Sequence, residues 1–207
     1  MKRVLFFFAI CLSCQGVAQS NWQRFKQLLP AQKTWVILHP FKAKKAYIVS
    51  LEANKISDSI AKTHLLDGDI SGGQVDAFRH AYWMARLNQE IGKSAAKSLG
   101  KAHEKDNYRQ FKKQLLEEGV LPDKISSDMD LINNNIGLNY TQKGKPYPKD
   151  GLIYRIVNEI LAGELRILKK DKEGNYVSCS GEILTPEELK NSWTNNKCLV
   201  PSNLSLK

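Results

Sequence analysis

The stretch "DAFRHAYW", which runs from Asp76 to Trp83, combines helical spacing with a polar face. At 3.6 residues per turn, offsets of three, four and seven bring side chains to the same face of a helix. That face carries Asp76, Arg79, His80 and Trp83. It is flanked by apolar residues such as Phe78, which are typical of a packed helix. The stretch therefore predicts a helix whose polar side chains form either a buried network or a functional site.

The segments around this stretch also show helical periodicity. Residues 41–66 carry apolar residues at helical spacing, and Gly92 is placed to end the helix that contains the stretch. Residues 93–105 follow directly, so we expect the two helices to pair in antiparallel orientation. Further upstream, 21–29 has the spacing of a short amphipathic helix, with Asn21 as its cap. By contrast, "KTWVILHP" (33–40) is apolar and β-branched, which predicts an extended segment.

Three more helices are predicted downstream of residue 105. The first is a separate short amphipathic helix over 108–119. The second covers 126–140 and begins at Ser126 or Ser127, either of which is a suitable cap. The third begins at Pro148 and continues to Gly163, where glycine ends the helical pattern.

The C-terminal part of the chain has a different character. Two short strand-like arms flank Glu173 and Gly174, which indicates a hairpin. Thr185, followed at three residues by Glu188, has the pattern of a capping box at the start of a short helix. We therefore predict a mainly α fold: a compact multi-helix domain with a small C-terminal β-hairpin and helix appendage, pinned by a disulfide.

The N-terminus has the features of a secretory signal. A positive start is followed by an apolar run, Val4 to Cys14, which is too short to span a bilayer. Small residues then precede a cleavage point near Ala18, so we assign 1–18 to a cleaved signal peptide. We expect an exported protein, periplasmic or extracellular, with a lipid anchor on Cys14 as the less favoured alternative. No later run is apolar and long enough for a transmembrane helix.

Charge and cysteine content limit the partners. The formal charge is +10, and removal of Lys2 and Arg3 lowers it to +8, which favours an anionic small molecule or envelope component. The lysines are dispersed and no arginine–aromatic motif is present, which argues against nucleic acid. The mature chain keeps two cysteines, Cys179 and Cys198, and in an oxidising compartment these predict one disulfide. The sequence indicates no oligomeric state.

Three polar segments carry the candidate chemistry. They are the helix face described above, the pair His103 and Glu104, and the segment "DLINNNIG" from Asp130 to Gly137. The third segment repeats the offsets of the first, so two helices present matched polar stripes. We hypothesise that these helices cross face to face and that Trp83 fills the gap left at Gly137. The candidate catalytic residues are Asp76, Arg79, His80, His103, Glu104, Asp130, Asn133 and Asn134.

These residue types suit a metal-assisted hydrolase. His80, His103 and Asp130, together with Asp76 or Glu104, are candidate ligands for zinc or another divalent ion, which lowers the pKa of bound water. Arg79 is suited to hold a phosphate or carboxylate, with the two asparagines orienting the substrate. A metal-free enzyme with a histidine as general base is a second interpretation. The third is a non-catalytic envelope protein in which the polar residues form a buried hydrogen-bond network.

Four motifs resemble a bacterial domain of unknown function, the DUF6973 type. They are "DAFRHAYW", "AHE", "MDLINNNIG" and "IVNEILAGEL", and they occur in the family's order. The resemblance covers about Gly73 to Leu168 and implies that the polar residues act as one unit. It also implies export. Because members of the family often lie at the ends of large secreted proteins, the resemblance implies a secreted antibacterial toxin as a further alternative. The family's arginine after the motif glycine is Leu138 here, which puts an anion-binding role of that position in doubt.

The expected organisation follows from these observations. Residues 19–72 form an N-terminal helical region, 73–168 the helical core that resembles DUF6973, and 169–207 the hairpin and short helix. Length and composition suit one domain with a real core.

Overall fold

The computed structural model describes residues 21–117 and 119–205, so the predicted signal peptide lies outside the described residues. The described part of the chain contains eight α-helices and one two-stranded antiparallel sheet. In chain order the elements are α1 (Asn21–Gln27), α2 (Pro30–Leu38), α3 (Pro40–Ala61), α4 (Gln74–Ile91), α5 (Lys93–Lys112), α6 (Lys124–Gly137), α7 (Lys149–Leu161), β1 (Arg166–Leu168), α8 (Pro186–Asn191) and β2 (Leu199–Pro201). The mainly α prediction is confirmed. None of the described helices is long and apolar enough to span a membrane.

Helix α4 is the centre of the fold and is covered on nearly every side. Phe78 and Tyr82 are fully buried in an apolar cluster with residues of α3, α7 and β1. Met84 and Leu87 are fully buried in a second cluster, with residues of α2, α3 and α5. Because α4 is enclosed by apolar contacts, its few polar side chains are held at fixed positions inside the domain.

Helices α4 and α5 form the predicted antiparallel pair. Gly92 joins them with a φ of 89°, a value that glycine adopts without strain. Met84 and Gly100 each lie eight residues from Gly92, on opposite sides of it in the chain. A Cβ on Gly100 would lie 3.0 Å from the Met84 methyl group. The absence of a side chain at Gly100 therefore allows the close approach of the two helices.

The segment predicted as extended is helical, so that prediction was wrong. Pro30 begins α2, and its first free N–H groups are bound by a residue far away in sequence. The Asp106 carboxylate of α5 accepts hydrogen bonds from Ala31 N at 2.9 Å and Gln32 N at 3.0 Å. Trp35 is buried and donates its indole N–H to Ser98 Oγ at 2.9 Å. These tertiary contacts override the β preference of the local residues.

Two other helix boundaries differ from the predictions. The segment 108–119 does not form a separate helix, because α5 continues without a break to Lys112. Helix α6 begins after Asp123, whose side chain accepts a hydrogen bond from Ser126 N at 2.8 Å. Asp123, not one of the two predicted serines, is therefore the N-cap.

The C-terminal residues fold back onto the core. Strand β1 pairs with β2, which lies near the end of the chain. The predicted hairpin forms only an isolated bridge between Lys170 and Tyr176. The predicted disulfide joins Cys179 to Cys198, the residue that precedes β2. The capping box of α8, with Thr185 as its cap, is present as predicted. The sheet thus ties the appendage to the core, and the disulfide closes a loop within the appendage itself.

A buried ion pair attaches this appendage to α6. Lys197 Nζ lies 2.6 Å from Asp123 Oδ2, and both side chains are almost fully buried. The same ammonium group lies over the ring of Tyr176, 3.8 Å from its centroid. Trp193 packs against Tyr108 and Phe111 of α5. The C-terminal residues therefore support the two helices that carry the remaining site residues.

Candidate functional site

Helices α4 and α6 cross at Gly137, as the matched polar stripes predicted. A Cβ on Gly137 would lie 2.2 Å from Ala81 O, so a side chain has no space there. The group that occupies the gap is the backbone of Ala81, not the predicted ring of Trp83. The Trp83 indole instead donates a hydrogen bond to Ser50 Oγ of α3 at 2.9 Å. This close crossing brings the polar side chains of the two helices together.

His80 lies between two carboxylates at this crossing. Its Nε2 is 3.4 Å from Asp76 Oδ1 and 3.3 Å from Asp130 Oδ1. Its other nitrogen, Nδ1, is 3.3 Å from Asn134 Oδ1. All four side chains are buried. One atom each from Asp76, His80 and Asp130 lies within 4.8 Å of the others, close enough for a single metal ion.

Asp76 is the ionised carboxylate of this group. Its Oδ1 accepts a hydrogen bond from Arg79 Nη2 at 2.5 Å, and its Oδ2 accepts one from Gly72 N at 2.7 Å. Burial alone would raise the pKa of Asp76, but Arg79 and His80 outweigh burial and hold the pKa at about 2. Asp76 therefore carries its negative charge at every physiological pH.

The charges of His80 and Asp130 depend on one another. Burial opposes a charged imidazole, but the neighbouring Asp130 and Asp76 raise the pKa of His80 to about 10. Burial raises the pKa of Asp130 well above its usual range, although His80 opposes this, and the negative charges of Asp76 and Glu104 add to it. A cation placed among these groups would favour the ionised carboxylates and the neutral imidazole.

His103 and Glu104 of α5 line the opposite side of the crossing. The His103 ring centroid lies 6.2 Å from that of His80, and its Nε2 is 3.2 Å from Glu117 Oε1. Burial and the charge of His80 lower the pKa of His103 to about 4. Glu104 Oε2 accepts a hydrogen bond from Asn107 at 3.3 Å, and burial raises the pKa of Glu104 to about 7. The three residues close enough to share one ion are Asp76, His80 and Asp130. His103, which the sequence suggested as a ligand, is not among them.

The two candidate asparagines of α6, Asn133 and Asn134, have different surroundings. Asn133 pairs with the backbone of Arg166 in β1: its Nδ2 donates to Arg166 O at 2.8 Å and its Oδ1 accepts from Arg166 N at 2.9 Å. Both of its polar groups thus bind β1. Asn134 is the asparagine that reaches the crossing, where it contacts His80.

A small cavity of about 40 Å³ opens beside Asp76, His80 and Asp130, and Glu104, Asn133 and Asn134 are not among its lining residues. Its volume suits an ion with a few water molecules. Sequence reasoning missed Glu117, Asn107 and the turn at Ser71–Gly72. The turn lies outside the helical patterns, and Glu117 was expected on a separate helix over 108–119 that does not form. The cavity is lined by Ser71, Gly72, Asp76, Arg79, His80, His103, Asn107, Glu117, Val120, Leu121, Pro122, Ser126 and Asp130.

Several buried polar atoms at the crossing have no hydrogen-bond partner among the described residues. They include Asn134 Nδ2 and Asn107 Oδ1. A buried polar group without a partner costs about 1–3 kcal/mol, so networks with only a structural role are normally complete. The incomplete pairing is typical of a site that receives a ligand.

Comparison with known proteins places the chain in a family. The model of the "Domain of unknown function (DUF6973)" matches residues 33–164, which is more than half of the chain. The chain belongs to the DUF6973 family. No curated protein and no solved structure matches it. The DUF6973 match includes the crossing of α4 and α6, together with α5.

Leu138 follows Gly137, at the position where the resemblance of the motifs led us to expect an arginine. Its side chain is 2% exposed and packs in the apolar cluster around Met84 and Leu87. The arginine that lines the cavity is Arg79. In this chain, the residue after the glycine therefore contributes to the core, and Arg79 supplies the positive charge at the site.

Proposed function

We propose that this DUF6973 protein is an exported, divalent-metal-dependent hydrolase that acts on an anionic substrate. The observation that carries the proposal is the position of His80, with Nε2 between Asp76 and Asp130 and with Nδ1 held by Asn134. Metal-bound histidines commonly have their second ring nitrogen fixed by such a partner.

The donor set has the chemistry of a catalytic metal site. When Nδ1–H donates to Asn134 Oδ1, the lone pair of Nε2 points to the side of the two carboxylates. One imidazole with two carboxylates suits zinc, manganese or iron, and leaves positions for water and substrate. An ion bound there supplies a hydroxide-like nucleophile near neutral pH.

Two residues beside this group have suitable roles in hydrolysis. Arg79 lines the cavity and already binds Asp76, so its guanidinium is placed to hold an anionic group next to the ion. His103, whose pKa is lowered to about 4, is neutral at pH 7 and is the candidate base for the attacking water. The small cavity admits only the reacting group of a substrate, which suits a phosphate ester better than a long buried chain.

A second candidate function, a non-catalytic envelope protein, is favoured by one specific observation. Asn133, a motif residue, uses its whole amide to bind the backbone of β1. If the rest of the polar cluster had a similar role, the residues at the crossing would serve folding alone. The buried Asn134 Nδ2, which has no hydrogen-bond partner among the described residues, supports the hydrolase over this alternative.

Metal titration of chelator-treated protein tests the proposal. We expect stoichiometric binding of zinc or manganese by calorimetry, and loss of binding in Asp130→Asn and Asp76→Asn. The matched control is Asp128→Asn, an exposed carboxylate on the same helix, which should bind normally. Metal-dependent hydrolysis of nitrophenyl phosphate mono- and diesters would complete the evidence. Failure of the folded wild-type protein to bind any divalent ion contradicts the proposal.

Export is part of the proposal and has its own support. The Cys179–Cys198 disulfide suits an oxidising compartment, and the N-terminal residues have the pattern of a signal peptide. Cell fractionation, with the mass of the N-terminal peptide, should show a mature chain that begins near residue 19. A full-length cytoplasmic protein contradicts export and leaves the metal site to be judged separately.

A further inference from the structure

Helix α3 carries an exposed row of apolar and basic side chains that no other described element covers. At 3.6 residues per turn its members fall within one sector of the helix, opposite the buried face of Ala46, Val49 and Ala53 that packs toward α4. We call this row the basic apolar stripe. It consists of Phe41, Lys44, Ile48, Leu51 and Lys55.

The exposure of this stripe is high for large apolar residues. Phe41 is 97% exposed, and Ile48 and Leu51 are each 52% exposed. At the corner where α2 meets α3, Ile37 and Leu38 are 67% and 70% exposed. Single exposed apolar residues need no explanation, but a contiguous group that ends in an aromatic ring indicates an interaction surface.

We propose that the basic apolar stripe docks the protein on an anionic phospholipid surface. A helix that lies in a membrane interface combines large apolar side chains with lysines that reach the lipid phosphates. Here Lys44 and Lys55 lie within the stripe. Lys45 lies beside it and is paired with Glu90 at 3.5 Å, and the chain keeps a net charge of +8 after removal of Lys2 and Arg3. The apolar residues would enter the acyl boundary while the ammonium groups bind phosphate.

Charge also favours lipid over other occupants. In a symmetric dimer the stripe would face a copy of itself, and the lysines of the two copies would repel one another. The core of a protein–protein interface is usually depleted of lysine, whereas lysine is common at a lipid interface. The proposal does not rest on the metal site, because the stripe lies on the face of α3 that is turned away from α4.

Vesicle co-sedimentation tests this docking with the purified protein. We expect binding to vesicles that contain phosphatidylglycerol and little binding to pure phosphatidylcholine vesicles. Phe41→Ser should weaken binding at least about 10-fold, because one buried aromatic side chain contributes about that much. Its matched control is Tyr154→Ser, an aromatic residue 72% exposed on α7, which should bind like wild type.

Two double variants distinguish vesicle binding through the stripe from binding through the overall positive charge of the protein. Lys44→Glu/Lys55→Glu should weaken binding at least about 25-fold, since each lysine near an anionic surface contributes about fivefold. Lys101→Glu/Lys105→Glu on the exposed side of α5 makes the same change in net charge and should bind nearly normally. Equal loss in both double variants, or no binding by the wild type, overturns the proposal. A dimer that Phe41→Ser dissociates, with no vesicle binding, also overturns it.

Discussion

His80 Nδ1 lies 3.3 Å from Asn134 Oδ1, a contact that joins α4 to α6 inside the domain. The amide oxygen can only accept a hydrogen bond, so it fixes a proton on Nδ1 and leaves Nε2 to face Asp76 and Asp130. In the neutral form of His80, this one contact therefore leaves Nε2 as the nitrogen that would face the proposed ion.

Replacement of Asn134 by alanine should therefore weaken metal binding without removing a ligand. We expect a 10- to 100-fold loss of zinc affinity by calorimetry, the usual effect of losing a partner of a metal-bound histidine. Asn135→Ala, an exposed neighbour, is the control and should keep the wild-type affinity. Unchanged affinity in a folded Asn134→Ala protein would show that Asn134 does not orient the ligand.

Gly137 should tolerate no side chain. In Gly137→Ala the new Cβ would meet the Ala81 backbone at 2.2 Å, and a backbone atom in a packed helix cannot move aside. We expect the free energy of unfolding to fall by at least about 3 kcal/mol in urea denaturation. Gly151→Ala in α7, where the nearest neighbouring atom is 3.6 Å away, should be neutral or stabilising by up to about 1 kcal/mol. Normal stability of Gly137→Ala would mean that the helices cross elsewhere.

Asp106 should contribute strongly to stability although it lies outside the site. Its buried carboxylate binds Ala31 N, Gln32 N and Arg109, so Asp106→Ala would leave the start of α2 without partners. The melting transition should show a loss of about 2–4 kcal/mol. Asp128→Ala breaks only an exposed ion pair with Lys124 and should change stability by about 0.5 kcal/mol or less. A small effect at Asp106 would contradict its role as a cap.

Glu104 should make the metal-free protein less stable as the pH rises from about 4.5 to about 7. Burial raises its pKa to about 7, so in this range the folded state binds more protons than the unfolded state. The contribution of Glu104 to the free energy of unfolding is therefore fully present below pH 4.5. Above that pH it decreases by up to about 1.4 kcal/mol per pH unit. Urea denaturation across the range should show a shallower slope for Glu104→Gln. The exposed Glu187→Gln should leave the slope unchanged; equal slopes in all three proteins would contradict the raised pKa.

The disulfide should stabilise the appendage. Cys179 and Cys198 are 19 residues apart, and closure of such a loop contributes about 3 kcal/mol on the chain-entropy model. Reduction, or the double replacement Cys179→Ser/Cys198→Ser, should lower the melting temperature measured by circular dichroism. If reduction left the melting temperature unchanged, the sheet and the Lys197–Asp123 pair alone would hold the appendage.

The sequence predicted those features that depend on local spacing. The periodicity around His80 placed α4 correctly, and the matched offsets at Asp130 and Asn134 anticipated a crossing with α6. Gly92 and Thr185 end and begin their helices as their local chemistry requires. Each of these predictions rests on residues within a few positions of one another.

Features that depend on distant partners were missed. Helix α2 forms because Asp106, about 75 residues away, binds its free N–H groups, and no local pattern indicates this. Asn133 and Asn134 are adjacent in sequence, yet one contacts β1 and the other His80. The position of Glu117 beside His103 likewise depends on a turn that periodicity does not place.

The bond between Cys179 and Cys198 encloses the exposed helix α8, which offers accessible peptide bonds to a protease. Cleavage anywhere inside that loop would leave two fragments joined through sulfur. Such nicked protein would migrate as one species on a non-reducing gel and separate only after thiol treatment. Where proteases are abundant, the protein would thus lose the continuity of its backbone and still keep β2 joined to the rest of the chain.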